Sequence, residues 1–253
     1  FQCSNRAHEL NVAQASRLCL HVHRQDACGT LIEAACATCN ACAILRMMDL
    51  SSLFFDEHGG VDVRRRNLPH WRQEGKLYFV TWRLADSIPE EKRQAISRER
   101  EAFIRAHGDP AMTQMSPDLK RRYHQLFSER VQRWLDAGHG SCLLRKPVAV
   151  QVVCAALHHF DGVRYVLGSF AVAGNHVHVL VAPMPGIRLS SVLHSWKSYT
   201  AKVINKAVGR SGTLWQDESY DHLVRSAASL HRIEEYIHAH QMQGAYVERR
   251  TCL

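Results

Sequence analysis

Blocks of apolar residues alternate along the chain with polar segments rich in glycine and proline, and the spacing inside each block predicts its geometry. Leu77-Tyr78-Phe79-Val80-Thr81-Trp82-Arg83-Leu84 is dense in aromatic and branched residues and predicts a central strand. Residues 90–106 form a charged helical stretch, opened by Ser87 and Pro89 and ended by Gly108-Asp109-Pro110. Ser116-Pro117 starts a second helix in which Leu119, Tyr123, Leu126 and Trp134 recur at helical spacing up to Gly138, a core face. A third helix over 147–159 carries Val148, Val152, Ala155 and Ala156 on one stripe, with Cys154 as a small core residue. After the Asp161-Gly162 turn, residues 163–172 read as a strand with Tyr165, Leu167 and Phe170 inward. The Ala173-Gly174-Asn175 turn then leads into the apolar run from His176, which predicts an antiparallel hairpin. Leu189, Val192, Leu193, Trp196, Val203 and Ile204 trace one face of a long helix closing at Gly209. A final helix starts at Ser226 or Ser229 and buries Leu230, Ile233 and Ile237.

Composition adds class and partners. With 46% hydrophobic residues over 253 positions, the chain can bury a substantial core. The formal charge of +8 favours polyanionic partners, nucleic acid or an acidic membrane surface. No apolar run approaches the ~18 residues a membrane span requires, and the start lacks the order of a signal peptide, so no membrane role and a cytoplasmic, nucleoid-associated placement are expected. Six of the nine cysteines lie in the first 42 residues, and an odd total without a secretory signal argues against a disulfide framework. Cys36-Ala37-Thr38-Cys39-Asn40-Ala41-Cys42 has the two-residue spacing of zinc and iron–sulfur sites, yet no second such pair follows. The alternative is that residues 1–46 are a non-native or disordered leader, because they lack periodicity and Met47-Met48 offers a start. The expected organisation is this leader, a polar arm over 47–74 containing Gly59-Gly60 and Arg64-Arg65-Arg66, one domain over 75–248, and a tail over 249–253.

Candidate chemistry concentrates in the second half. His176 and His178 alternate with Val177 and Val179, so on a strand both imidazoles project from one face. Such a pair is either half of a metal site or a solvated or hydrogen-bonded pair of strand histidines. Tyr236 and His240, four residues apart, share a helix face one turn from each other. Lys197, Lys202, Lys206 and the following Arg210 make a basic ridge suited to a phosphate backbone. Trp215, in an irregular polar segment, reads as exposed and either stacks on an unpaired base or caps the core. A histidine pair, a tyrosine and a cationic ridge make chemical sense together. A divalent cation can polarise a phosphate so that an otherwise weak tyrosine nucleophile attacks it.

Several pieces, in order, resemble the single-tyrosine HUH transposases of the IS200-like class, especially the REP-associated tyrosine transposases. They are Tyr78-Phe79-Val80-Thr81-Trp82-Arg83-Leu84-Ala85-Asp86-Ser87, Gly138-His139-Gly140-Ser141-Cys142, Asn175-His176-Val177-His178, His194-Ser195-Trp196-Lys197-Ser198-Tyr199-Thr200-Ala201, Leu214-Trp215-Gln216 and Arg232-Ile233-Glu234-Glu235-Tyr236-Ile237. The resemblance implies an α+β fold, a ferredoxin-like or RRM-like central antiparallel sheet with packed helices, the HUH endonuclease fold. It implies His176 and His178 as metal ligands, His240 in the place of the third, and Tyr236 as nucleophile. It further implies Mg2+ or Mn2+ as cofactor and single-stranded hairpin DNA as substrate, cut through a 5′-phosphotyrosine intermediate by a monomer or homodimer. Two positions depart from the family pattern. His240-Gln241 stands where Asn-Pro is usual, which brings a softer nitrogen to the third ligand position. Gly174 stands where proline precedes Asn175.

Tyr199 and Tyr220 are rival nucleophiles on sequence grounds, whereas His158, His159 and His222 read as structural or solvated. The competing function is a domesticated hairpin-binding protein of the same fold that no longer cuts. A histidine-triad nucleotide hydrolase requires a further histidine two residues after His178, and Leu180 occupies that place.

Overall fold

The computed structural model describes residues 49–65, 69–108 and 115–250. The leader with Cys36, Cys39 and Cys42 lies outside these residues, as do the side chains of the Arg64-Arg65-Arg66 run. A small antiparallel pair, β1 (Asp62–Arg65) and β2 (Pro69–Arg72), precedes the central strand β3 (Tyr78–Arg83). Helices α1 (Glu90–His107), α2 (Pro117–Tyr123), α3 (Arg130–Asp136) and α4 (Pro147–His158) follow. The hairpin of β4 (Tyr165–Val172) and β5 (His176–Pro183) leads through α5 (Leu189–Ala207) to β6 (Tyr220–Leu223). The described chain then runs through α6 (Ala227–Ala239) to β7 (Tyr246–Glu248).

The strands order as β6-β3-β5-β4-β7, every neighbour antiparallel. Taking β3, β4, β5 and β6 in chain order, the spatial order is fourth, first, third, second, with helices after the first and third. This is the ferredoxin-like arrangement expected, extended beyond β4 by the edge strand β7, which sequence periodicity did not predict. β5 is covered on both faces, and all eight of its residues are buried. Val177, Val179 and Val181 pack with Tyr78, Val80 and Trp82 of β3 against α4 and α5. Leu180 and Ala182 face the other way, toward Phe79 and the α6 residues Leu230 and Ile237. A register shift between Leu167 and Phe170 resets the alternation of β4, so Tyr165, Leu167, Phe170 and Val172 all reach the α4–α5 side.

Three local expectations are corrected. The helix expected from 117 to 138 is broken by a π-helical turn at His124–Glu129, whose wider hydrogen bonding shifts the phase of α3. The buried residues become Tyr123, Phe127 and Leu135, and the first two join Phe103 of α1 and Met115 in a small separate cluster. On α4 the core stripe is Ala149, Val153, Cys154, Ala156 and Leu157, one residue out of phase with the expectation, and Val148 is exposed. Finally, the polar arm expected over 47–74 contributes to the core over its described residues. Leu53 is a core residue, the Phe55 amide donates to the Val224 carbonyl, and His70 pairs with Asp221 of β6.

Candidate metal centre and its tyrosine

His176 and His178 stay on one face of β5, as alternation requires, but that face is roofed by α6 and α3 rather than open to water. Their exposures are 1% and 0%, and that of His240 is 1%. The solvated alternative for the pair is therefore excluded. Ser226 accepts from the Ser229 amide to start α6, and the helix and its C-cap deliver Tyr236 and His240 onto the histidines. The ligand atoms of His176, His178 and His240 all lie within 4.8 Å of one another.

The protons on these rings follow from their partners. Asn175 Nδ2 donates to the His139 carbonyl at 2.9 Å, so Asn175 Oδ1 faces His176 Nδ1 at 2.7 Å and must accept from it. His240 Nδ1 lies 2.8 Å from the Tyr236 carbonyl, which can only accept. His178 Nδ1 lies 2.7 Å from Thr81 Oγ1, its cross-strand partner in the β3–β5 register. A ring that donates from Nδ1 leaves Nε2 as a bare lone pair, the form that binds metal. His176 Nε2 and His240 Nε2 are buried without a hydrogen-bond partner. Burial, reinforced by the neighbouring His240, pulls the His176 pKa down to about 3. Burial likewise holds His178 well below the usual range, so both rings are neutral at pH 7. Three imidazole Nε2 atoms converging in a buried site fit a cation, and the nearby C-terminal turn of α6 adds partial negative charge.

Tyr236 Oη is 3.3 Å from His178 Nε2. Phe79 positions both groups, stacked on His178 with ring centroids 5.4 Å apart and edge-on to Tyr236 at 6.1 Å. Burial first, and then the Asp136 carboxylate, push the Tyr236 pKa above its ordinary value, so the phenol is protonated at neutral pH.

Four polar side chains at this site had no predicted role: Thr81, Asn175, Gln132 and Asp136. Gln132 and Asp136 are i and i+4 on α3, a spacing that placed both on one face of the expected helix. Gln132 Nε2 is 3.4 Å from His178 Nε2 and donates to Asp136 Oδ1 at 3.1 Å. Asp136 Oδ1 is 3.5 Å from His240 Nε2 and 3.8 Å from His176 Nε2. Burial opposes the Asp136 charge, but His240 and Gln132 outweigh it and hold the carboxyl below its usual range. The Gly138–Cys142 segment also gains a structural meaning. Gly140, at φ +87°, presses against the Asp86 carbonyl, and the His139 carbonyl alongside orients Asn175 and, through it, His176.

The expected nucleic-acid residues do not gather at the histidines. α5 lies across the sheet from them, with Lys202 and Lys206 exposed and Arg210 half-buried after its end. The Lys197 ammonium donates to the Gln216 and Asp217 carbonyls, at 2.7 Å each, and so staples the following segment to the helix. Trp215 is not the exposed ring expected. It is 5% exposed, lies edge-on to Trp82, and donates from Nε1 to Thr200 Oγ1, which removes its face from base stacking. Tyr199 is exposed on α5, away from the histidines, and Tyr220 packs into the sheet on β6. Among the described residues, Tyr236 is the tyrosine hydrogen-bonded to a histidine of the cluster.

A ferredoxin-like sheet that buries three converging imidazoles beside a helical phenol defines a candidate metal centre with a tyrosine at its edge. Residues 150–240, which span all three histidines and Tyr236, match the family model described as Transposase IS200 like. No curated protein matches the sequence. Among solved structures, one of a REP-associated tyrosine transposase bound to a REP hairpin is similar, at 14% identity with a TM-score of 0.35, covering 72% of this chain and 73% of that one. No helix among the described residues is long and apolar enough to cross a membrane.

Proposed function

We propose that this protein is a metal-dependent single-stranded DNA endonuclease and strand transferase, a transposase that cuts near hairpin sequences with Tyr236 as nucleophile. The observation that carries the reading is the 3.3 Å approach of Tyr236 Oη to His178 Nε2, at the rim of three buried, converging imidazoles. His176, His178 and His240 would hold the divalent ion. When bound, that ion supplies positive charge that polarises a scissile phosphate and stabilises a phenolate. Tyr236 loses its proton as its oxygen bonds to phosphorus, and the P–O3′ bond breaks to leave a 5′-phosphotyrosine and a free 3′-hydroxyl. Attack by another 3′-hydroxyl on the phosphotyrosine reverses the step and joins a new strand without ATP. Phe79 and the α6 backbone hold the phenol in place. Lys202, Lys206 and Arg210 lie across the sheet, where they suit the flanking duplex rather than the reacting phosphate. Support for a DNA partner comes from the net charge of +8 and from the match of residues 150–240 to the IS200-like transposase model.

The test is incubation of the protein with hairpin-bearing single-stranded oligonucleotides and Mn2+ or Mg2+, scored on a denaturing gel. A covalent adduct with the natural chain that disappears in Tyr236→Phe, with binding retained, supports the reading. An adduct that survives in the Phe variant removes Tyr236 from the nucleophile's role. Binding without an adduct under any divalent metal identifies a domesticated binding protein instead.

A further inference from the structure

We propose that Asp136 of α3 is a fourth protein ligand of the cation held by His176, His178 and His240, making a three-nitrogen, one-oxygen set that selects Zn2+ or Co2+ over Mg2+. The proposal rests on the metal reading of the three histidines and adds to it a residue from a separate helix and a metal class.

The geometry is the first support. Ligands bound 2.0–2.1 Å from a tetrahedral ion stand roughly 3.3 Å apart. Asp136 Oδ1 is 3.5 Å from His240 Nε2 and 3.8 Å from His176 Nε2, close to that spacing before any ion draws the groups together. The second support is ring orientation. His176 and His240 turn Nδ1 to the acceptors Asn175 Oδ1 and the Tyr236 carbonyl, so Nε2 of each ring is the nitrogen directed at the carboxylate. The imidazoles are buried and the Asp136 side chain, 27% exposed, stands at the open side of the cluster, where a cation would be held by ring nitrogens and carboxylate together. Placement is the third. The π-helical turn before α3 resets the helix phase so that Gln132 and Asp136 both look onto the histidines, and Gln132 braces the carboxylate at 3.1 Å. Donor chemistry then chooses the metal, since Mg2+ demands oxygen ligands and retained waters, whereas three imidazoles with one carboxylate suit zinc-like ions.

The full chain, stripped with a chelator, is titrated with Co2+, Zn2+ and Mg2+ by calorimetry, and Co2+ binding is followed by visible absorption. One equivalent of Co2+ is expected, with the intense bands of a low-coordinate site, and Zn2+ should bind far more tightly than Mg2+. Loss of a partner that merely orients a ligand costs about 10–100-fold in metal affinity, so loss of a direct ligand in Asp136→Ala is expected to cost about 100-fold or more and to move the Co2+ bands. Asp136→Asn, which keeps the shape and the helix, is expected to act in the same direction. Asp118→Ala, at an exposed carboxylate on α2, should change neither readout. Unchanged affinity and bands in both Asp136 variants, with binding abolished by His176→Ala, would overturn the proposal and leave the three-histidine site standing. No metal binding by the natural chain would remove both.

Discussion

Replacing Thr81 by valine keeps the shape of the side chain and deletes one hydroxyl, which isolates what that hydroxyl does for His178. Thr81 Oγ1 lies 2.7 Å from His178 Nδ1, the two residues are 6% and 0% exposed, and the ring is clamped on its other side by Phe79. Water has no room to take the hydroxyl's place, and no cavity is created. Two responses are open to the ring. If the proton stays on Nδ1, a buried donor is orphaned, at a cost of about 1–3 kcal/mol. If it moves to Nε2, the orphaned donor is avoided, but the nitrogen facing His240 and Tyr236 then carries a proton and cannot bind a cation. Both responses weaken metal binding, and the expected loss is about 10–100-fold, the range seen when a group that orients a metal-bound histidine is removed. The metal-free protein should lose only about 1–2 kcal/mol, which lowers Tm by about 2–8 °C in a domain of this size. Calorimetric titration with Co2+ or Zn2+, alongside thermal melts with and without metal, separates the two effects. Unchanged affinity in Thr81→Val would refute the argument that this hydrogen bond sets the tautomer of His178.

Two further predictions concern the scaffold. His70, held by Asp221 and then by Glu218, has its pKa raised to about 9, above an unfolded value near 6.5. Its contribution is therefore fully present below pH ~6.5 and is lost as pH rises toward 9. Urea denaturation should show the stability gap between the natural chain and His70→Gln closing across that window, and a gap constant from pH 6 to 9 would contradict the pairing. Gly140→Ala places a Cβ 2.4 Å from the Asp86 carbonyl at a φ of +87°. Gly209→Ala, at φ +66° with open space around it, carries only the left-handed backbone cost of about 1–2 kcal/mol. Chemical denaturation should rank the Gly140 variant as clearly the less stable, and equal losses would mean that the close approach is relieved at no cost.

The parts legible in the sequence were those whose meaning is local. Alternation put His176 and His178 on one face whatever the sheet order, and helical spacing joined Tyr236 to His240 before any packing was known. What alternation could not say was whether that face met water, because this depends on α3 and α6 arriving over it from elsewhere in the chain. For Trp215 the same dependence decides between base stacking and capping the core, in favour of the core. Its neighbours Thr213, Gln216, Asp217 and Glu218 are polar and without period, while its own ring is claimed by Thr200 and Trp82 across the fold. β1 and β2 escaped notice because short strands with Pro69 and charged residues carry little pattern, and their register comes from contacts such as His70 with Asp221. Asp136 shows the limit most clearly. A lone carboxylate near the end of a charged helix reads as solvated, and only the π-helical turn, invisible to a 3.6-residue period, turns it with Gln132 onto the histidines. The candidate metal site thus divides along one line. The histidines and the tyrosine are set by local spacing, whereas the groups that orient the rings and the proposed oxygen ligand come from β3, the Gly138–Cys142 segment and α3. Substitutions in that second group are accordingly the ones that separate a working metal centre from a cluster of buried histidines.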